Sequence, residues 1–319
     1  MTIPFFLLFL ALLPKTQLNG GLDEAIRLYE KGEFKQAVNL LQQLRSSSPT
    51  EPDVRLWLGK SYLKTRDWDN AVKEMEKAVQ LRPSNAQYHL WLGRAYGDHA
   101  SHSIFFKALG LARRVTKEFE TARKLAPEDM DTRFDLLEFY LRAPGIVGGG
   151  KDKAVAEAQA ISKLDPAKGY VARSIIYQRD KKWDLAKKEL VQAAIDYPNQ
   201  ADAFKDVADY LLDQRDFEGA LEYAKKALAL DSESKQARLI LAASRVRLKE
   251  DLEQAAETLR ELAASTLTDE DPSFEEVYYW LGEYYIAEGD NAKAKEAFRS
   301  ALAFDPDYDR ARDRISLLR

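Results

Sequence analysis

WLGKSY at residues 57–62 returns as WLGRAY at residues 91–96 and as WLGEYY at residues 280–285, and the first two copies start 34 residues apart. After each block come a small residue, an apolar or aromatic one, a second small one and a proline. The series is Ala71, Met75, Ala78 and Pro83 after the first block, and Ala294, Phe298, Ala301 and Pro306 after the last. Fainter copies fill the middle: Tyr140, Ala154, Ala158 and Pro166; then Tyr177, Ala186, Ala193 and Pro198; then Phe204, Ala208, Ala220 and Ala227. An opening copy has Ala25, Ala37, Leu41 and Pro49, and a degenerate one covers residues 235–265. Self-similarity at a fixed period of this length marks a repeat architecture.

The pattern resembles the tetratricopeptide repeat (TPR) family, and its physics is readable in these residues. Each unit is two antiparallel helices. Small residues such as Gly59 and Ala71 let the backbones approach, aromatic residues such as Tyr62 fill the space between turns, and proline ends the second helix. One such pair cannot bury its apolar face alone, so neighbours stack. The expected fold is therefore all-α: a right-handed superhelical solenoid of about eight units over residues 21–308. The tail DYDRARDRISLLR closes it as a capping helix, with Ala311, Ile315 and Leu318 on one face.

Composition agrees with a solvated globular chain: 319 residues, 45% hydrophobic and 31% charged, with a formal net charge of -4. That balance gives no global field for nucleic acid. With no cysteine, thiol catalysis, iron–sulfur clusters, cysteine zinc sites and disulfides are excluded. The run TIPFFLLFLALLP, residues 2–14, is too short to span a bilayer and suits the apolar region of a secretory signal. Residues 1–20 are read as that signal and residues 21–319 as the solenoid, which implies export to the periplasm or cell envelope and no membrane span after removal of the signal. No Lys or Arg precedes the run and no A-x-A site follows it.

APGIVGGGKD, residues 143–152, nearly spells a phosphate-binding P-loop. Such a loop needs a preceding strand, yet DTRFDLLEFYLR before it has helical spacing, and Asp152 stands where the nucleotide-binding pattern has Ser or Thr. The expected structure is an inter-helix turn in which Pro144 stops one helix, the glycines supply φ > 0 and Asp152 caps the next helix. An alternative is an anion-binding or nucleotide-binding nest over Gly145–Lys153, built from backbone N–H groups beside Lys151 and Lys153. The chain is similar to bacterial exported TPR proteins with an APG-glycine-lysine insert here, a likeness that carries no assigned activity.

The third unit holds about ten extra residues, DHASHSIFFKALG, with an insert at about residues 98–109, and TLTDEDPSFEE lengthens the approach to the eighth. Ile104, Phe105, Phe106, Leu109 and Leu111 are too apolar to stay in water unpaired, so packing onto the solenoid as an extension of the following helix is expected, with a docking surface as the other reading. His99 and His102 form no zinc set on their own. Acid pairs such as Asp269 with Asp271 and Glu275 with Glu276 are expected on solvated faces. No catalytic set, metal site or cofactor site is read.

The resemblance implies that first helices line a concave groove. Its inward positions are Leu56, Lys60, Leu63 and Lys64 in the second unit, and Leu90 and Arg94 in the third. The fourth supplies Phe134, Glu138, Leu141 and Arg142, and the fifth Val171, Ile175 and Arg179. Apolar and basic residues alternate, which suits an extended peptide or protein partner carrying acidic groups. Asp202, Asp209, Asp213, Glu276 and Glu283 in the sixth and eighth units imply a groove that changes sign. The carboxylate clamp of chaperone-binding relatives needs lysine where Leu56 and Leu90 stand, so that clamp is missing. The expected function is a non-enzymatic interaction scaffold.

Overall fold

The computed structural model describes residues 15–318. Residues 1–14 of the expected signal lie outside them, and residues 15–20 open the first helix. Among the described residues there are seventeen α-helices, one short 3-10 turn and no strand. The first sixteen helices form eight consecutive pairs. They are α1 (Lys15–Glu30) with α2 (Phe34–Ser47), α3 (Pro52–Lys64) with α4 (Trp68–Leu81), α5 (Ala86–Ser101) with α6 (Phe105–Leu125), and α7 (Met130–Arg142) with α8 (Lys151–Leu164). There follow α9 (Pro166–Arg179) with α10 (Trp183–Asp196), α11 (Ala201–Asp213) with α12 (Phe217–Leu230), α13 (Lys235–Leu248) with α14 (Leu252–Ala264), and α15 (Phe274–Ala287) with α16 (Asn291–Phe304). A last helix, α17 (Asp309–Leu317), follows the eighth pair. The fold is an all-α repeat solenoid.

In six of the eight pairs the turn follows one local code. Gly32, Arg66, Lys181, Arg215, Lys249 and Gly289 all take positive φ, between 58° and 79°. The next amide then reaches back five residues to a carbonyl of the first helix: Asp67 N–H to Tyr62, Asp216 N–H to Leu211, and Asp290 N–H to Tyr285, each at 2.9 Å. This left-handed closure satisfies carbonyls that the helix end would orphan. The same aspartates then cap the second helix, accepting from the amides of Asn70, Gly219 and Lys293. Asn85, Asp129, Asp165, Ser234 and Ser273 do the same for first helices.

The chain divides after Pro127 into two compact units. In the first, α1 to α6 pack in sequence, with α1 against α3 and α3 against α5. Its core holds Leu41, Leu58, Met75, Tyr88, Leu90 and Phe119. The glycine of each WLG block sits where helices approach most closely. A Cβ on Gly59 would lie 2.6 Å from Met75 Cγ, and one on Gly93 would lie 2.4 Å from the Phe119 ring. Buried glutamates of the second helices add polar ties. Glu74 accepts from Arg45 at 2.5 Å and Arg55 at 2.7 Å, and Glu118 meets His89 Nδ1 at 2.6 Å. Glu74, held by two arginines, would be stranded only by the loss of both, at a cost of about 3–5 kcal/mol.

In the second unit, α7 to α16 pack pairwise and α17 closes against α16. A large core runs from Ala186 to Ala311, and Ile315 and Leu318 pack partly buried on its end, as a capping face requires. Gly282 repeats the close approach, with the Phe298 ring 2.4 Å from where its Cβ would be. The TLTDEDPSFEE segment is pinned rather than loose. Asp271 accepts from Lys235 at 2.8 Å and from the Thr268 amide at 2.9 Å, and Leu267 is buried. That pairing removes Asp271 from the solvated faces expected for such acids. Among the described residues no helix is long and apolar enough to cross a membrane.

Candidate functional site

The glycine loop lies in the second unit and is an inter-helix turn. Pro144 leads a 3-10 turn over Gly145–Val147, and Gly148 and Gly150 take φ of 100° and 156°. The amides of Gly148, Gly149 and Gly150 donate to the carbonyls of Gly145, Pro144 and Tyr140. A Cβ on Gly149 would fall 1.8 Å from the Ala143 carbonyl oxygen, so this glycine is required by the turn itself. Lys151 is paired with Asp180 at 2.6 Å, and Lys153 donates to the Gly148 carbonyl at 2.8 Å. The Lys151 ammonium holds the Asp180 carboxyl below the ordinary carboxylate range. Three amides and both lysines are thus engaged within the protein, and an anion at Gly145–Lys153 would have to displace them. Asp152 is not the cap. Gly150 holds that position, and Asp152 lies in the first turn of α8, where its charge faces the positive end of the helix dipole.

In the first unit, the extra residues of the third repeat lengthen both helices around a short turn at residues 102–104, giving α5 16 and α6 21 residues. The expectation that their apolar side chains pack is overturned for three of the five: Ile104, Phe105 and Phe106 are 79%, 69% and 83% exposed, while Leu109 is half-buried. They precede the point where α6 meets its neighbours, and only Leu111, farther along, is buried. His99 is buried, with Nε2 3.4 Å from Asp69, whereas His102 is exposed and stacks on Trp68 at 4.5 Å. Among the described residues no group of three or more His, Asp or Glu side chains could hold a metal ion.

The first-helix candidates separate by depth. Leu90 is fully buried and offers a partner no surface, because α5 is packed against both α3 and α4. Lys60 is only 5% exposed, and its ammonium lies 3.8 Å from the Trp57 ring centroid, 4.2 Å from Trp91 and 5.2 Å from Tyr29. Leu56 is half-buried, Lys64 is exposed, and half-buried Arg94 rests its guanidinium 4.7 Å from Trp91. Tryptophan and cations therefore form one strip along α3 and α5. In the second unit, half-buried Phe134 packs on a small core of Leu137, Ala158, Ile161, Ala172 and Ile176. Exposed Arg142 pairs with Glu138 at 2.9 Å, and exposed Arg179 donates to the Leu141 carbonyl at 3.2 Å, which places both arginines by the end of α7.

The acids of the sixth and eighth repeats divide into two groups. Asp206, Asp209 and Glu276 form a half-buried stripe where burial pushes each carboxyl up, Glu276 to about 7, with the charge of Asp209 adding to the effect. Asp202 sits at the edge of this stripe, paired with Lys205 at 2.6 Å. Glu283 is different: it is buried and neutralised, bound by Arg247 at 2.8 Å and by the Arg314 fork. It is not a free acid of the groove.

Beside that ion pair lies a pocket of about 360 Å³. Leu212, Phe217, Tyr279 and Trp280 give it apolar and aromatic walls, and Asp213, Arg215, Arg247, Arg310 and Arg314 supply charge. Arg310 lies 4.3 Å from the Tyr279 ring centroid and 5.4 Å from that of Trp280. Trp280 is buried, and its indole N–H has no acceptor among the described residues. Sequence reasoning missed this pocket, since its arginines come from a turn, from the degenerate seventh repeat and from the capping helix.

Comparisons with known proteins agree with this architecture. Tetratricopeptide repeat family models match residues 28–95, residues 171–235 and 205–266, and residues 275–308. No curated protein sequence matches the chain. Among solved structures, yeast Tom70 is similar at 15% identity and a TM-score of 0.58, with 90% of this chain and 58% of that one covered. The chain thus spans a little over half the length of that protein. A tetratricopeptide repeat protein from Parabacteroides merdae is similar at 11% identity and a TM-score of 0.47, covering 95% of this chain and 99% of that one. A thermophilic TPR protein of Thermus thermophilus is similar at 17% identity and a TM-score of 0.42, covering 71% of this chain and 98% of that one.

Proposed function

The chain belongs to the tetratricopeptide repeat family, and from that premise we propose that it is a non-enzymatic scaffold that holds an extended peptide or protein partner against the first helices of its repeats. The observation that carries this reading is the strip on α3 and α5, where Lys60 and Arg94 share the Trp91 ring and Lys64 stands exposed nearby. Half-buried Arg94, supported on the ring, loses little conformational freedom when it meets a carboxylate, exposed Lys64 adds charge, and buried Lys60 holds the rings in place for apolar contact. The partner is accordingly a segment with acidic and apolar side chains. The exposed Ile104, Phe105 and Phe106 form a second contact for the same partner class. The site of action is the cell envelope, reached through the apolar run of residues 2–14.

Crosslinking capture from native cells tests the scaffold. Arg94→Glu and Arg142→Glu are expected to weaken capture while helicity stays unchanged, and unaltered capture would refute the groove assignment. Sequencing the N-terminus of the mature protein tests export: a start downstream of residue 14 is expected, and an intact Met1 contradicts it.

A further inference from the structure

We propose that the arginine-lined pocket of the sixth to eighth repeats is a subsite for a carboxylate side chain adjoining a large apolar residue in a peptide partner. The inference rests on the scaffold reading and adds a second, chemically distinct site to it.

The lining decides the ligand class. Four guanidinium groups, Arg215, Arg247, Arg310 and Arg314, face two carboxylates, Asp213 and the buried Glu283. Glu283 holds Arg247 and Arg314 in place, so their charge is oriented and only partly spent. Arg310 has no carboxylate within ion-pair distance among the described residues, and it rests on the rings of Tyr279 and Trp280. Its guanidinium also hydrogen-bonds the Tyr279 hydroxyl and feels the charges of Glu276 and Asp213, which orients it over the rings with N–H groups left for a further carboxylate. The surplus of about two positive charges would take either anion, and it is the carboxylate of Asp213 in the lining, with Asp209 and Glu276 beyond it, that weighs against the doubly charged phosphate.

Apolar walls set the rest. A volume of about 360 Å³ far exceeds one carboxylate, and Leu212, Phe217 and Trp280 line the remainder. That space suits a phenyl or leucyl side chain next to the acid. The buried indole N–H of Trp280, without an acceptor among the described residues, supplies a spectroscopic reporter on the ring that forms one wall of the site.

The experiment uses the full chain and three blocked hexapeptides that differ at one position, with Phe-Glu, Phe-Gln or Phe-phosphoserine at the centre. Titration is followed by the Trp280 indole N–H signal, assigned with Trp280→Phe. The Phe-Glu peptide is expected to bind at least about ten-fold tighter than Phe-Gln, to move the Trp280 signal, and to lose that advantage in Arg310→Gln. Arg215→Gly relieves a left-handed backbone and so guards against misfolding as the cause. It is expected to keep or raise the melting temperature and still weaken Phe-Glu binding. Equal affinity for Phe-Glu and Phe-Gln overturns the proposal, and tighter binding of the phosphoserine peptide overturns the carboxylate assignment. Loss of peptide preference with intact partner capture removes this subsite alone, whereas capture indifferent to Arg94→Glu removes the scaffold reading.

Discussion

The two compact units use one helix-pair plan and both lay cations on aromatic rings, Arg310 over Tyr279 in the second, but the second adds a half-buried row of acids. In the first, cations are laid on aromatic rings: Lys60 among Trp57, Trp91 and Tyr29, and Arg94 over Trp91. In the second, the stripe of Asp206, Asp209 and Glu276 crowds like charges in a half-buried row, with an arginine pocket at its end. A buried lysine tolerates its cage because ring faces are negative, whereas carboxyls cut off from water by burial respond by holding their protons. Backbone architecture is therefore shared, while recognition chemistry is local to each set of first helices.

The largest expected contrast is in the close-packed glycines. Gly282→Ala drives a methyl into the fully buried Phe298 ring, and Gly59→Ala meets the flexible Met75 side chain. Chemical denaturation is expected to show a loss of about 2–3 kcal/mol for Gly282→Ala and about 1 kcal/mol for Gly59→Ala. Equal losses would mean that the two units pack with the same tolerance.

The acid stripe gives the next largest effect. The Glu276 carboxyl is pushed above its ordinary value of 4.5 to about 7. Its folded state binds the proton more tightly than the unfolded state, so stability falls as pH rises from about 4.5 to 7. Glu276→Gln is expected to stabilise the protein at pH 8 by about 1–3 kcal/mol and to change little at pH 4. Melting curves at the two pH values check this; stabilisation that is the same at both would remove the buried charge of Glu276 as its cause.

How much was legible in the sequence follows from which signals act locally. The WLG blocks, the spaced alanines and the prolines state the helix pairing, and close approach at Gly59, Gly93 and Gly282 explains why those positions could be recognised. Depth was not legible: Leu90 and Lys60 occupy the expected first-helix register, yet burial depends on how tightly neighbouring helices close over them. The extra residues of the third repeat read as a packed insert, but the helix they extend carries Ile104, Phe105 and Phe106 past the layer that would have covered them. Nor was the pocket legible, since Arg215, Arg247, Arg310 and Arg314 converge from elements that are distant in sequence, and the pattern of the capping helix announces only its apolar face.

The smallest contrast lies in the turns. Arg66 and Arg215 both adopt left-handed φ, 63° and 61°. Replacing either with glycine is expected to raise stability by up to about 1 kcal/mol. Only Arg215→Gly is expected to weaken peptide binding at the pocket, as measured by the same titration. Loss of that binding in Arg66→Gly as well would trace the effect to turn geometry rather than to the guanidinium.

The central claim is that partners lie along first helices. A photo-crosslinking residue placed at Lys64 or Arg94 of α3 and α5, and at exposed Lys77 on the second helix α4, measures this directly in native cells. Crosslinked partner from positions 64 and 94 but not from 77 is predicted; crosslinking from 77 alone would contradict the account.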